Sequence, residues 1–301
     1  MRPMFRRAIA GAAAAAVLAV GGCAALDVKQ RELIFRPVKE QGGSPADYGL
    51  AFEDLWLPVA GGAGDGEGAG AQRVHGWWIP APAADAPTVL YLHGARWSLG
   101  GNLFRIARWH RMGFNVLAID YRGFGRSDGE LPSEALAYAD AQAAWEELKR
   151  REPAQARRFV YGHSLGGAVA IDLAAQRTEM AGLIVESSFT SIRDMADTTQ
   201  YGYLPVGLIL TQRFDSLAKV PRLTVPVLFV HGAADRWVPP AMSERLYAAA
   251  PEPKRLLLVE GGGHSNVSGI AFDEYRRAVL EFAAGAGARI VAGAGAPAVV
   301  D

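Results

Sequence analysis

The chain has 301 residues, 31 basic and 31 acidic side chains, six histidines and one cysteine, and half of it is apolar. That is enough chain for a domain with a buried core, while a single cysteine excludes an internal disulfide framework and a cysteine-rich zinc site. Zero net charge gives no sign of nucleic-acid binding, and the arginines, 26 against five lysines, are scattered along the chain.

The N-terminus has its own pattern. Arg2, Arg6 and Arg7 precede an apolar run from Ala8 to Val20. A basic stretch before a short apolar one reads as an export signal, because a spanning helix needs about 20 apolar residues. The run ends in Val20-Gly21-Gly22-Cys23, which resembles a bacterial lipobox. There the small residues admit the peptidase and the thiol takes the lipid. The expectation is a signal peptide over 1–22, lipidation at Cys23 and attachment to a bacterial envelope membrane. The outer membrane is favoured, because Ala24 rather than Asp follows the cysteine. Without its first 22 residues the chain has 28 basic and 31 acidic side chains, so a basic signal masks a mildly acidic body.

Residues 23–49, with Pro37, Gly42, Gly43 and Pro45, read as a polar tether. Residues 51–57 alternate as a strand and 74–79 as its partner, joined by a long Gly/Ala/acid loop from Gly61 to Gly70. From Thr88 short apolar strands alternate with longer helical stretches. Strands are expected at 89–92, 115–119, 158–161, 183–185, 227–230 and 255–259. Helices are expected at 103–112, 133–151, 165–176, 241–250 and 272–283. This order predicts an α/β fold: a mostly parallel eight-stranded sheet with helices on both faces. Ligands of such sheets bind at the carboxyl ends of the strands. Residues 285–301 form a low-complexity tail.

Gly162-His163-Ser164-Leu165-Gly166 follows the apolar strand Phe159-Val160-Tyr161 and precedes a helix-like run. This is the strand–turn–helix context of a nucleophile elbow, where small neighbours let a strained Ser stand at the sheet tip. The Leu165 N–H opens the helix and points at an oxyanion. A serine needs a base positioned by an acid, in the chain order Ser, acid, His. Asp235 and His264 each follow an expected strand, which makes them the acid and the base. Asp215 and Glu186 are rival acids. The second oxyanion N–H is expected from Ala95, after Leu92-His93-Gly94. His93 and His163 read as structural. His75, His110 and His231 lack partners at metal-ligand spacing, so neither metal nor cofactor is expected.

Five markers in order resemble the α/β-hydrolase superfamily over roughly residues 50–284. They are Leu92-His93-Gly94, Asp120-Tyr121-Arg122-Gly123-Phe124-Gly125-Arg126-Ser127, the elbow with Gly167, Gly232-Ala233-Ala234-Asp235-Arg236-Trp237-Val238-Pro239, and Gly263-His264. The chain is similar to the BEM46-like serine hydrolases with a small cap, here 187–220, and to the serine aminopeptidase S33-type domain. The loop from Ala95 to Asn102 is several residues longer than in that group, which puts Arg96 or Trp97 at the pocket mouth. Ser164 argues against the dehalogenase and epoxide hydrolase branches, which carry Asp at the elbow. The resemblance implies a monomeric enzyme that transfers the acyl group of a small ester, thioester or amide to water. A peptidase of the same fold and a non-catalytic binding lipoprotein are the alternatives. The apolar stretch Tyr201 to Leu210 either lines an acyl pocket or covers the sheet.

Overall fold

The computed structural model describes residues 22–40, 42–59, 72–129, 131–199, 207 and 209–287. All of the expected signal peptide but Gly22, the Gly61–Gly70 loop, nearly all of the tail and most of the Tyr201–Leu210 stretch lie outside the described residues. Eight strands form one sheet: β1 (Glu53–Val59), β2 (Gln72–Ile79), β3 (Thr88–Leu92), β4 (Asn115–Ile119), β5 (Arg158–His163), β6 (Gly182–Glu186), β7 (Val227–Gly232) and β8 (Lys254–Val259). Their spatial order is β1-β2-β4-β3-β5-β6-β7-β8. β1 pairs antiparallel with β2, and β2 pairs antiparallel with β4. The other five pairings are parallel.

The central strands are apolar throughout because both faces are covered. Period-two alternation sends Leu90 and Leu92 to one face and Val89 and Tyr91 to the other. The first face packs against α3 (Glu134–Arg151), α4 (Leu165–Gln176) and α7 (Pro240–Ala249), with Trp145 and Leu246 fully buried. The second packs against α2 (Leu103–Arg111) and α9 (Phe272–Gly285) through Ile106, Trp109 and Val279. Three short helices escaped the sequence pattern: α5 (Ile192–Asp197), α6 (Ser216–Lys219) and α8 (Val267–Ile270). The first two are capped by side-chain hydrogen bonds rather than marked by periodicity: Ser191 accepts from the Asp194 N–H and Asp215 from the Ala218 N–H.

The expected polar tether takes a different form. Residues 22–35 are helical (α1), and the chain that follows is strapped across the domain. Polar groups hold it down. Gln30 donates to the Ile209 carbonyl and accepts from the Thr211 N–H, both at 2.9 Å. Arg31 donates to the carbonyls of Leu131 and Pro132. Phe35 is fully buried and meets Phe214 edge to face at 5.7 Å. Beyond it, the Gly125 N–H donates to the Val38 carbonyl at 2.8 Å, and Lys39 donates to the Ser127 carbonyl at 3.0 Å. Among the described residues no helix is long and apolar enough to cross a membrane.

Candidate active site

Ser164 sits between β5 and α4 with φ 54° and ψ −119°. A non-glycine residue holds that conformation only where its surroundings enforce it. The glycines around it supply the room. A Cβ on Gly162 would collide with Gly166, one on Gly166 with the carbonyls of Leu92 and His93, and one on Gly167 with Ser188. The turn is tied down on both sides: the Ser164 N–H donates to the Glu186 carbonyl, and the Ser164 carbonyl accepts from the Ser188 hydroxyl, both at 2.9 Å.

Asp235 and His264 arrive on the loops after β7 and β8. Gly232 and Gly262 let those loops touch, since a Cβ on Gly232 would overlap the Gly262 backbone. His264 Nδ1 donates to Asp235 Oδ2 at 2.7 Å, which leaves Nε2 to accept from the Ser164 hydroxyl at 3.0 Å. The three side chains expected from the sequence are thus one hydrogen-bonded chain. Asp235 Oδ1 accepts from the N–H groups of Trp237 (2.8 Å) and Val238 (3.0 Å). Burial alone would raise the Asp235 carboxyl. Hydrogen bonds from His231 and His264, the His264 charge and the Val238 N–H outweigh it and hold the carboxyl well below its ordinary range. Such a chain can pass the serine proton to the imidazole and stabilise the imidazolium that forms.

Leu165 opens α4, so its N–H is one of the first-turn donors without an intrahelical acceptor. Ala95 lines the same cavity as Ser164 and His264. That cavity, about 310 Å³, is also lined by Arg96, Trp97, Met195, Trp237 and Val238. The loop after β3 therefore brings Arg96 and Trp97 to the mouth, as expected. Arg96 has φ 78°, and its N–H donates to the Phe35 carbonyl at 2.9 Å. The strap from α1 thereby fixes the residue next to Ala95.

The rival acids have other work. Asp215 caps α6. Glu186 is fully buried and accepts from the Tyr161 hydroxyl at 2.9 Å. His93 is buried, with Nδ1 2.6 Å from the Gly94 carbonyl, and His75 lies 2.7 Å from Asp54. Two supports were not legible in the sequence. His231 Nε2 lies 3.2 Å from Asp235 Oδ2, with its Nδ1 2.6 Å from the Ser243 hydroxyl. Its place directly after an apolar strand, four residues before the acid, was the available signal. Arg105, nearly fully buried, donates to the Ser265 carbonyl at 2.7 Å. His163 Nε2 donates to the His264 carbonyl at 2.8 Å. Burial, then the Arg105 charge, pushes the His163 imidazole well below its ordinary range, so it stays a neutral strut.

The profile of the family described as Serine aminopeptidase, S33, matches residues 84–214 and 206–268. The chain is 34% identical over 262 residues to an uncharacterized Mycobacterium tuberculosis protein, covering 86% of this chain and 89% of that one. It is 30% identical over 258 residues to the alpha/beta hydrolase domain-containing protein WAV2 of Arabidopsis thaliana, covering 77% and 79%. Its fold is similar to that of the Pyrococcus furiosus esterase Pf2001, with TM-score 0.65 at 22% identity, over 82% of this chain and 97% of that one. The chain belongs to the α/β-hydrolase superfamily, within the group described as serine aminopeptidase S33, and is a hydrolase.

Proposed function

We propose that this hydrolase cleaves a carboxylic ester or thioester of a small acyl substrate through an acyl-enzyme. The Ser164–His264–Asp235 chain, opening into a cavity of apolar walls, carries the reading. Ser164 Oγ attacks the acyl carbonyl as His264 Nε2 takes its proton. The Leu165 and Ala95 N–H groups hold the oxyanion. The leaving alcohol or thiol departs with the proton from His264. Water, deprotonated by the same imidazole, then releases the acid and frees Ser164. Ester over aminopeptidase rests on charge. A substrate's free amino group calls for a carboxylate at the mouth, and Arg96 is the charged group there among the described residues.

Ser164→Ala should lower turnover by a factor on the order of 10⁶. It should also abolish labelling by a fluorophosphonate. Near-full esterase activity in that variant would sink the mechanism. A series of p-nitrophenyl esters set against aminoacyl-naphthylamides separates esterase from peptidase.

The same proposal includes export, lipidation at Cys23 and a monomer held at a bacterial envelope membrane, the outer one if there are two. The lipobox-like run supports it, as does the exposure of Cys23 at the start of α1. Labelled palmitate should enter the intact chain and not Cys23→Ala, and equal incorporation would exclude the anchor.

A further inference from the structure

We propose that the face of the protein bearing the cavity mouth docks directly on an anionic lipid bilayer, with α1 and the mouth in one contact surface. The docking is a property of the folded surface. Only its role in delivering an acyl lipid to Ser164 rests on the function proposed above.

Exposed apolar groups are unevenly placed. Of the nine large apolar side chains most exposed among the described residues, Leu26, Val28, Leu33 and Val38 lie on α1 and its strap. Ile209 lies in the cap, and Trp97 and Trp237 form the cavity rim. Only Leu258 and Ile270 lie elsewhere. Leu26 and Leu33, seven residues apart, fall on one helical stripe, while Val28 lies on another side of α1. Gln30 is bonded to the Ile209 carbonyl, which brings 57%-exposed Leu33 and 52%-exposed Ile209 into one neighbourhood. From the end of α1 the surface continues to the mouth: the Phe35 carbonyl holds the Arg96 N–H, and the Arg96 guanidinium lies 4.8 Å above the Trp237 ring. Trp237 is 65% exposed. Left in water, these side chains are an unfavourable surface, and exposed large apolar groups gathered on one part of a protein mark interaction sites.

Charge selects the occupant. Arg36, Arg96, Arg193 and Arg236 are all exposed, and among the described residues none has a carboxylate within ion-pair distance. Arg96 lines the mouth itself, Arg36 follows Phe35, whose carbonyl holds the Arg96 N–H, Arg236 adjoins the rim residue Trp237, and Arg193 lies on α5, the helix that contributes Met195 to the cavity wall. The carboxylates of α1 are already matched, Asp27 by Arg31 at 3.5 Å and Glu32 by Lys29 at 2.9 Å. Tryptophan sits well at the boundary of headgroup and acyl chain, and arginine draws anionic headgroups. A protein groove would want a continuous apolar core with charge excluded. Here the apolar points are interspersed with arginines that no carboxylate among the described residues pairs, which fits a bilayer surface.

The test uses residues 23–301 with Cys23→Ser, so that neither a signal segment nor an attached acyl chain contributes. The protein should sediment with vesicles of phosphatidylcholine and phosphatidylglycerol at 7:3. It should sediment at least tenfold less with phosphatidylcholine alone, and salt should weaken it. Leu26→Glu with Leu33→Glu should lower partitioning tenfold or more. Both side chains lie away from the cavity lining, so hydrolysis of a short water-soluble ester should be unchanged. Arg36→Glu should weaken binding to the anionic vesicles alone. Equal sedimentation of the double variant and its parent would overturn the proposal. So would a parent that stays in the supernatant, or a change in sedimentation velocity without lipid that the double variant removes, which would mark a second copy as the occupant. Fluorophosphonate labelling of the same samples reports Ser164 separately. Vesicle binding without labelling would reject the hydrolase mechanism and leave the docking intact.

Discussion

Asp235 shows how one residue is built from several neighbours. Its carboxylate takes two backbone N–H groups and two imidazoles, so the ionised form is favoured although the group is buried. Its depressed pKa in the folded chain adds stability above the ordinary carboxylate pKa. That stability is lost as pH falls from the unfolded value through the folded one. Asp235→Asn removes the dependence. The difference in melting temperature between parent and variant should therefore be large at pH 7 and shrink toward pH 3. Turnover at pH 7 should fall by about 10⁴, because Asn favours the wrong His264 tautomer. A constant gap across that range would remove the electrostatic account. Ser164, Asp235 and His264 were legible because each follows an apolar strand in the right order. Arg105 and His231 were not: one buried arginine among 26 carries no local mark, and a histidine's partner four residues on is visible only after the loop folds.

At the scale of elements, α4 and α1 contrast. The start of α4 is written in the sequence, because backbone contacts there leave no room for a Cβ and so demand glycine. α1 is not. Its inward side carries Asp27, Gln30 and Arg31, which meet polar and carbonyl groups of the cap and of the loop before α3 instead of an apolar stripe. A reading based on apolar periodicity therefore sees only a polar stretch. Phe35 is the one large apolar side chain of α1 that is fully buried. Phe35→Ala should cost about 3–5 kcal/mol through its cavity against Phe214. It should also slow ester turnover severalfold by loosening the loop at Ala95 and Arg96. Thermal unfolding and kinetics with a soluble ester check both, and an unchanged melting temperature would mean that α1 is not part of the core.

For the whole molecule, the sheet was readable because its central strands are short apolar runs bounded by turn residues, and parallel pairing buries both their faces. What composition could not supply was how far the first described residues are built into the domain. The spatial order of strands has one more consequence. Ser164 follows a central strand, while Asp235 and His264 follow the last two strands at one edge. Ser164 and His264 are 100 residues apart, and the contact between them closes only when β8 has joined β7. Contacts of such long range form late, because their loops must be closed first. On the proposed mechanism, a folding intermediate whose first seven strands have paired would hold the elbow without its base. Such an intermediate would be latent, and hydrolytic competence would begin only when the last strand has added to the sheet.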